Sequence, residues 1–166
     1  LDADTWYPVL LQLSPFGPLF HIEVTNALDT NVPSWSTHQN GFTCKKVWEI
    51  YGSGWGAIPP SMLRRIIYQS LYAYCDVDPV RGIGQLTNSS NDVVFVRGGG
   101  KYRFACSRGV VPTLITTSTV SSGQTIAPTT TAPDEIVGNN QLTTDSIAWD
   151  RLTGKPTTLE GYGIAD

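Results

Sequence analysis

Thr5-Trp-Tyr-Pro-Val-Leu-Leu-Gln-Leu13 and Leu19-Phe-His-Ile-Glu-Val-Thr-Asn26 are the two stretches from which the fold is read. In the first, Tyr7, Val9, Leu11 and Leu13 lie on one face of an extended chain. In the second, Phe20, Ile22 and Val24 alternate with His21, Glu23 and Thr25. A period of two puts one set toward a core and the other toward water, so both stretches predict half-buried strands. The Pro/Gly-rich turn between them predicts a hairpin.

The rest of the chain repeats this grammar. Residues 29–41 are polar, rich in turn formers and closed by Asn40-Gly41, which predicts a long loop carrying Trp35 and His38. A third strand is expected over 42–51, ended by Gly52-Ser-Gly-Trp-Gly56. Residues 64–75 have apolar positions that a helix could use (Ile66, Ile67, Leu71, Tyr72, Tyr74, Cys75), but the density of Ile and Tyr favours a buried strand. Short strands follow over 80–86, 92–97, 101–107 and 113–120. Eight or so strands at this spacing predict an all-β fold, an antiparallel β-sandwich over residues 1–120. Residues 121–133 turn to Ser, Thr, Gly and Pro and read as an extended linker or edge segment, which leaves 134–166 as a separate piece.

Composition agrees. Only 15% of the residues are charged, while Gly, Pro and Trp are plentiful, as suits turns and sheets better than helices. The three cysteines, Cys44, Cys75 and Cys106, are odd in number and lack C-x-x-C spacing, so they read as small core residues of a protein folded in a reducing cytoplasm. No signal peptide or run of membrane length is visible, and a chain that starts at Leu1 reads as a fragment of something longer. Residues 45–108 hold nine Lys/Arg against four Asp/Glu. Such a basic middle suits phosphorylated surface sugars, although basic residues this scattered also fit the solvent faces of strands.

Catalytic chemistry has little to draw on. His21 and His38 are the only histidines, His21 is on a polar strand face, and no G-x-S-x-G is present. No zinc-ligand spacing exists, and Asp76-Val-Asp78 before Pro79 reads as a turn more readily than as a calcium site. Gly98-Gly-Gly-Lys101 lacks the phosphate-loop spacing and has Tyr102 where Ser or Thr would ligate magnesium; it predicts a hairpin turn instead. No enzyme activity, cofactor, metal or nucleic-acid partner is therefore expected. For binding, Trp35, His38 and Trp55 fall in expected loops, where indole faces stack on sugar rings; filling the ends of the fold or a subunit contact is the more ordinary use of such tryptophans.

The segment from Ser146 to the end has large apolar side chains at Ile147, Trp149, Leu152, Leu159, Tyr162 and Ile164, with gaps that fit no helix, heptad or strand alternation. Gly and Pro recur every few residues, so no single element can bury them, and the same segment from other copies is the simplest partner.

Trp149-Asp-Arg-Leu-Thr-Gly-Lys-Pro-Thr-Thr-Leu-Glu-Gly-Tyr-Gly-Ile-Ala-Asp166 closely resembles the W-x-x-(hydrophobic)-x-G-K-P-T-T-L-x-G-Y-G-I-x-D motif of phage side tail fibres and tailocin fibres. Leu1-Asp-Ala-Asp-Thr-Trp-Tyr-Pro-Val9 and Val96-Arg-Gly-Gly-Gly-Lys-Tyr-Arg-Phe104 look like parts of a globular domain found in such fibres. The resemblance implies a homotrimer that joins other tail-fibre segments in the virion, after assembly in the bacterial cytoplasm. It also implies contact with a bacterial surface glycan or outer-membrane receptor. Residues 134–166 would form the trimeric shaft segment, through Ile147, Trp149, Leu152, Leu159, Tyr162 and Ile164, and the parent chain would continue past Asp166. The alternatives are a free-standing carbohydrate-binding module and a non-catalytic part of a capsule-degrading tailspike.

Overall fold

The computed structural model describes residues 1–13, 19–26, 32–37, 44–51, 65–86, 89, 91–107 and 109–134. The six apolar positions of the C-terminal segment, with His38 and Trp55, lie outside the described residues. Among the described residues there are ten strands and no helix: β1 (Trp6–Leu13), β2 (Leu19–Asn26), β3 (Cys44–Tyr51), β4 (Arg65–Tyr72), β5 (Val80–Gln85), β6 (Asp92–Arg97), β7 (Tyr102–Cys106), β8 (Val110–Leu114), β9 (Thr119–Ser121) and β10 (Gln124–Ile126). Eight of them form two antiparallel sheets, ordered β5-β6-β1-β8 and β4-β3-β2-β7. One cluster joins them, with Tyr7, Val9, Leu11, Leu13, Val94 and Val96 from the first sheet meeting Phe20, Ile22, Val24, Cys44, Trp48 and Ile50 from the second.

The alternation in β1 and β2 is therefore realised, but the hairpin is not. β1 pairs with β6 and β8, and β2 pairs with β3 and β7. Facing each other across the core buries both apolar faces at once, whereas a hairpin would have set them side by side. The expected hairpin at Gly98-Gly-Gly-Lys101 fails in the same way: β6 belongs to the first sheet and β7 to the second. Alternation specifies which face is buried but not which strand is the neighbour.

β1 is also buried on its second face, which the reading as a half-buried strand missed. Trp6, Pro8 and Leu10 are covered because the chain after β8 folds back over the sheet. Leu10, Leu86, Val93 and Ile126 form a second cluster, with Phe95 and Ile115 packed against it. β9 and β10 are joined by Ser122-Gly123, both at positive φ, which is the backbone of a tight two-residue hairpin. Trp6 then exchanges both backbone hydrogen bonds with Thr129 (2.7 and 3.0 Å), so the Ser/Thr/Pro stretch runs along the domain as an edge segment.

Two prolines shape that edge. The strand expected over 113–120 is in fact β8, ending at Leu114. Ile115 N–H donates to Pro8 O (2.9 Å), and Pro8 has no N–H to return, so the ladder stops there. By the alternation of an antiparallel pair, the nitrogen of Pro112, opposite Leu11, faces away from β1 toward the open side of the sheet.

A buried ion pair ties the sheets together. Lys46 is in phase with the core residues of β3; its Nζ lies 2.7 Å from Asp78 Oδ2 and donates to Val80 O at 2.7 Å, while Asp78 Oδ1 accepts from Val80 N–H (2.9 Å). Both side chains are 2% exposed. Removing one partner of such a pair leaves an uncompensated buried charge.

Strand directions place residues 1–5 and 130–134 at one end of the domain. The short connections over 14–18, 98–101 and 107–109, with antiparallel pairing in each sheet, make odd-numbered strands β1 to β7 run one way and even-numbered strands β2 to β8 the other. Residues 1–5, 32–37, 73–79, 98–101 and 130–134 thus gather at one end. Gly98 N–H to Thr5 O (2.8 Å), Trp35 Nε1–H to Gly98 O (2.8 Å) and Thr37 N–H to Tyr74 O (2.7 Å) lace that end together.

Lys46→Met is expected to cost about 3–5 kcal/mol, and Lys46→Met/Asp78→Leu to recover more than half of that loss. Urea denaturation of the two variants measures both; losses that simply add would show that the two charges are not coupled.

Candidate functional site

The end at which the chain enters and leaves is built around Arg97, the last residue of β6. Its guanidinium carbon lies 5.9 Å from the centroid of the Trp6 ring and 5.4 Å from that of Trp35. Nη1 bonds Asp76 Oδ1 at 2.6 Å and Nε donates to Ala3 O at 3.3 Å. A planar cation between two indoles, with a carboxylate at its edge, is held in position from three separate segments of chain. Gly98 admits the N-terminal residues here, since a Cβ at that position would fall 1.8 Å from Asp2 O.

Trp35 is 8% exposed, and its indole N–H is spent on Gly98 O. It occupies the position that end-filling requires, and the guanidinium of Arg97 lies over its ring. Of the residues named from sequence as a sugar platform, Trp35 lies among the described residues, and it is buried; His38 and Trp55 lie outside them. His21 is on the outer face of the second sheet, 3.6 Å from Glu49.

Among the described residues, the aromatic rings that do face water at this end are Tyr72 and Tyr74. Tyr74 has φ +61°, a conformation that an L side chain adopts at a cost of roughly 1 kcal/mol. Its carbonyl is pinned by Thr37 N–H (2.7 Å) and Thr37 Oγ1 (3.2 Å), and Ser36 bridges Cys75 in the next position. Non-glycine residues held in this way cluster at functional sites. Reading 64–75 as one buried strand hides them. The signal available is the turn-forming Asp76-Val-Asp78-Pro79, which bounds the strand on its C-terminal side.

The acids and thiols here are structural. Asp76 and Asp78 each have a basic partner, Arg97 and Lys46. Burial pushes the Cys44 thiol up to about 12, and burial followed by the charges of Asp78 and Asp76 raises that of Cys75, so neither is poised as a thiolate. Burial also raises the Tyr102 phenol, which donates to Arg97 O at 2.9 Å. Among the described residues no three His, Cys, Asp or Glu side chains converge as a metal site. A shallow groove of about 450 Å³ lies between Gly82, Gly84 and Phe95 on one side and residues 124–129 on the other.

No protein-family model, curated protein or solved structure matches the chain.

Tyr74→Gly should leave stability within about 1 kcal/mol of the parent, because relief of the left-handed strain offsets the added freedom of the unfolded chain. Thermal unfolding tests this; a loss beyond about 2 kcal/mol would mean that the ring is a packing residue. Asp76 gives a pH test. Burial opposes its ionisation, but the hydrogen bond and charge of Arg97 outweigh that and hold the carboxyl below its usual range. A depressed folded-state value stabilises above the unfolded pKa of about 3.9 and is lost as pH falls through the folded one. Asp76→Asn should therefore lower stability at pH 7 by no more than about 1 kcal/mol, since the group is largely exposed, and the difference should vanish near pH 2.

Proposed function

We propose that the chain is a structural and adhesive segment of a homotrimeric phage tail fibre: a β-sandwich domain over residues 1–120, an edge segment over 121–133 and a trimer-forming strand-and-turn shaft segment over 134–166. The observation that carries this reading is the dense motif from Trp149 to Asp166, whose apolar residues have no regular element of their own to bury them. The two facing antiparallel sheets and the Ser/Thr/Pro segment leading out of them are consistent with it.

On this reading the work of the chain is mechanical and adhesive rather than catalytic. Three copies of a weak surface site held together bind a bacterial surface more tightly than one, by roughly 10² to 10⁴ in apparent affinity, with no strong single site. The exposed Tyr72 and Tyr74 are the aromatic faces available for such a site, in place of Trp35. A free-standing carbohydrate-binding module would use the same rings without trimerising.

The mass of the assembly decides between the two. Sedimentation equilibrium of the chain is expected to give three times the 18.1 kDa of one copy, and removal of residues 135–166 to give a monomer. A monomer in both cases would remove the fibre reading, and if that monomer also bound an oligosaccharide the module would stand.

A further inference from the structure

The groove of about 450 Å³ on the outer face of the first sheet falls in the lower part of the roughly 300–1,000 Å³ range of small-ligand sites. Its floor is apolar: the half-buried ring of Phe95 with the edges of Val93 and Leu86. Two glycines of β5, Gly82 and Gly84, leave one wall bare. Gly82 is required by the backbone alone, since it has φ +63° and a Cβ there would fall 2.7 Å from Pro133 Cβ and 3.0 Å from Phe95 Cδ2. Gly84 has no such requirement, because its φ is not positive. It pairs with Val93, and paired residues share a face. Val93 belongs to the outer cluster, so a side chain at position 84 would stand on the groove floor. A glycine inside a strand weakens it and marks a bulge or the close approach of a ligand or another backbone. The bulge is accounted for by Gly82, which leaves Gly84 as the glycine that keeps the groove open.

The groups around this floor say what fits it. None of the lining side chains is charged. The opposite wall, Gln124 to Thr129, brings the amide of Gln124 and the hydroxyl of exposed Thr125. Because Ser122-Gly123 is a two-residue turn, Gln124 and Ile126 bond to β9, and the N–H and C=O of Thr125 point away from it. The bulge between Arg81 and Gly84 also takes backbone groups of β5 out of the ladder. An apolar floor between uncharged donors and acceptors matches a ligand with an apolar ring face and hydroxyls around its rim. An ionised ligand would give up hydration there without meeting a counter-charge. We propose that this groove binds a neutral hexopyranose unit of a glycan, one ring face on Phe95 and Val93 and the hydroxyls on Gln124, Thr125 and the glycine backbone. The site is separate from the exposed Tyr72 and Tyr74 at the end of β4. It is built within a single copy, so it does not depend on trimerisation.

The test is titration of the whole chain, deuterated and nitrogen-labelled, with methyl α-glucoside, methyl α-galactoside and methyl α-mannoside, followed through the backbone amide resonances. At least one of the three is expected to move the amides of Gly82, Gly84 and Thr125 with a Kd of about 1 mM, the scale for so small a ligand. Glucuronate and inorganic phosphate should leave those amides in place. Gly84→Leu, which fills the groove, should weaken binding about tenfold or more. Thr125→Val, at an exposed position where the fold is not at stake, should weaken it about fivefold. Several results would overturn the proposal: no response to any of the three glycosides at concentrations about fifty times higher, shifts confined to the surroundings of Tyr72 and Tyr74, an equal response to glucuronate, or an unchanged Kd in Thr125→Val. The shifts are read alike from a trimer or a monomer, so failure of the groove and failure of the fibre reading are distinguishable.

Discussion

The Lys46–Asp78 pair is the interaction on which the arrangement of the sheets depends. Two charges withdrawn from water are tolerated only when each satisfies the other and the remaining hydrogen-bonding sites are filled, and here Val80 supplies both its carbonyl to Lys46 and its N–H to Asp78. Apolar residues at both positions would pack without specifying a register. With the pair in place, the start of β5 is held against β3, and the preceding connection is carried past Tyr74 and Asp76 to the guanidinium of Arg97. The order of the domain's chain-bearing end follows from that placement.

Much of the fold is legible in the sequence because a period of two is a direct report of burial. Tyr7, Val9, Leu11 and Leu13 do face the core, and so do Phe20, Ile22 and Val24. What alternation does not encode is partnership. The two hairpin expectations fail because a turn of Gly and Pro serves equally to reverse a strand within a sheet or to pass it to the facing one. The boundary of β8 is missed for a different reason. It is set by Pro8, more than a hundred residues upstream, and no local pattern contains that information.

The candidate site is less legible. Trp35 stands out as a loop tryptophan, yet its indole is consumed by Gly98 and Arg97, contacts between segments far apart in sequence. Tyr72 and Tyr74 are concealed because a run rich in Ile and Tyr reads as buried. The missing information is where the strand stops: after Tyr72 the chain turns, and an aromatic that would have been core becomes surface. Exposure depends on strand ends, and strand ends depend on tertiary contacts such as those of Thr37 to Tyr74.

Pro112 has a consequence for crowding. Of the backbone nitrogens that β8 turns outward, that of Val110 is bonded to Ser107 O and that of Pro112 bears no hydrogen, which leaves Leu114 as the remaining outward donor of the strand. Any assembly that tethers copies of this chain raises their mutual concentration to the millimolar range, where an open sheet edge becomes a template for runaway pairing. A single imino acid on the rim makes β8 a poor template, so copies can be held side by side without merging into one continuous sheet.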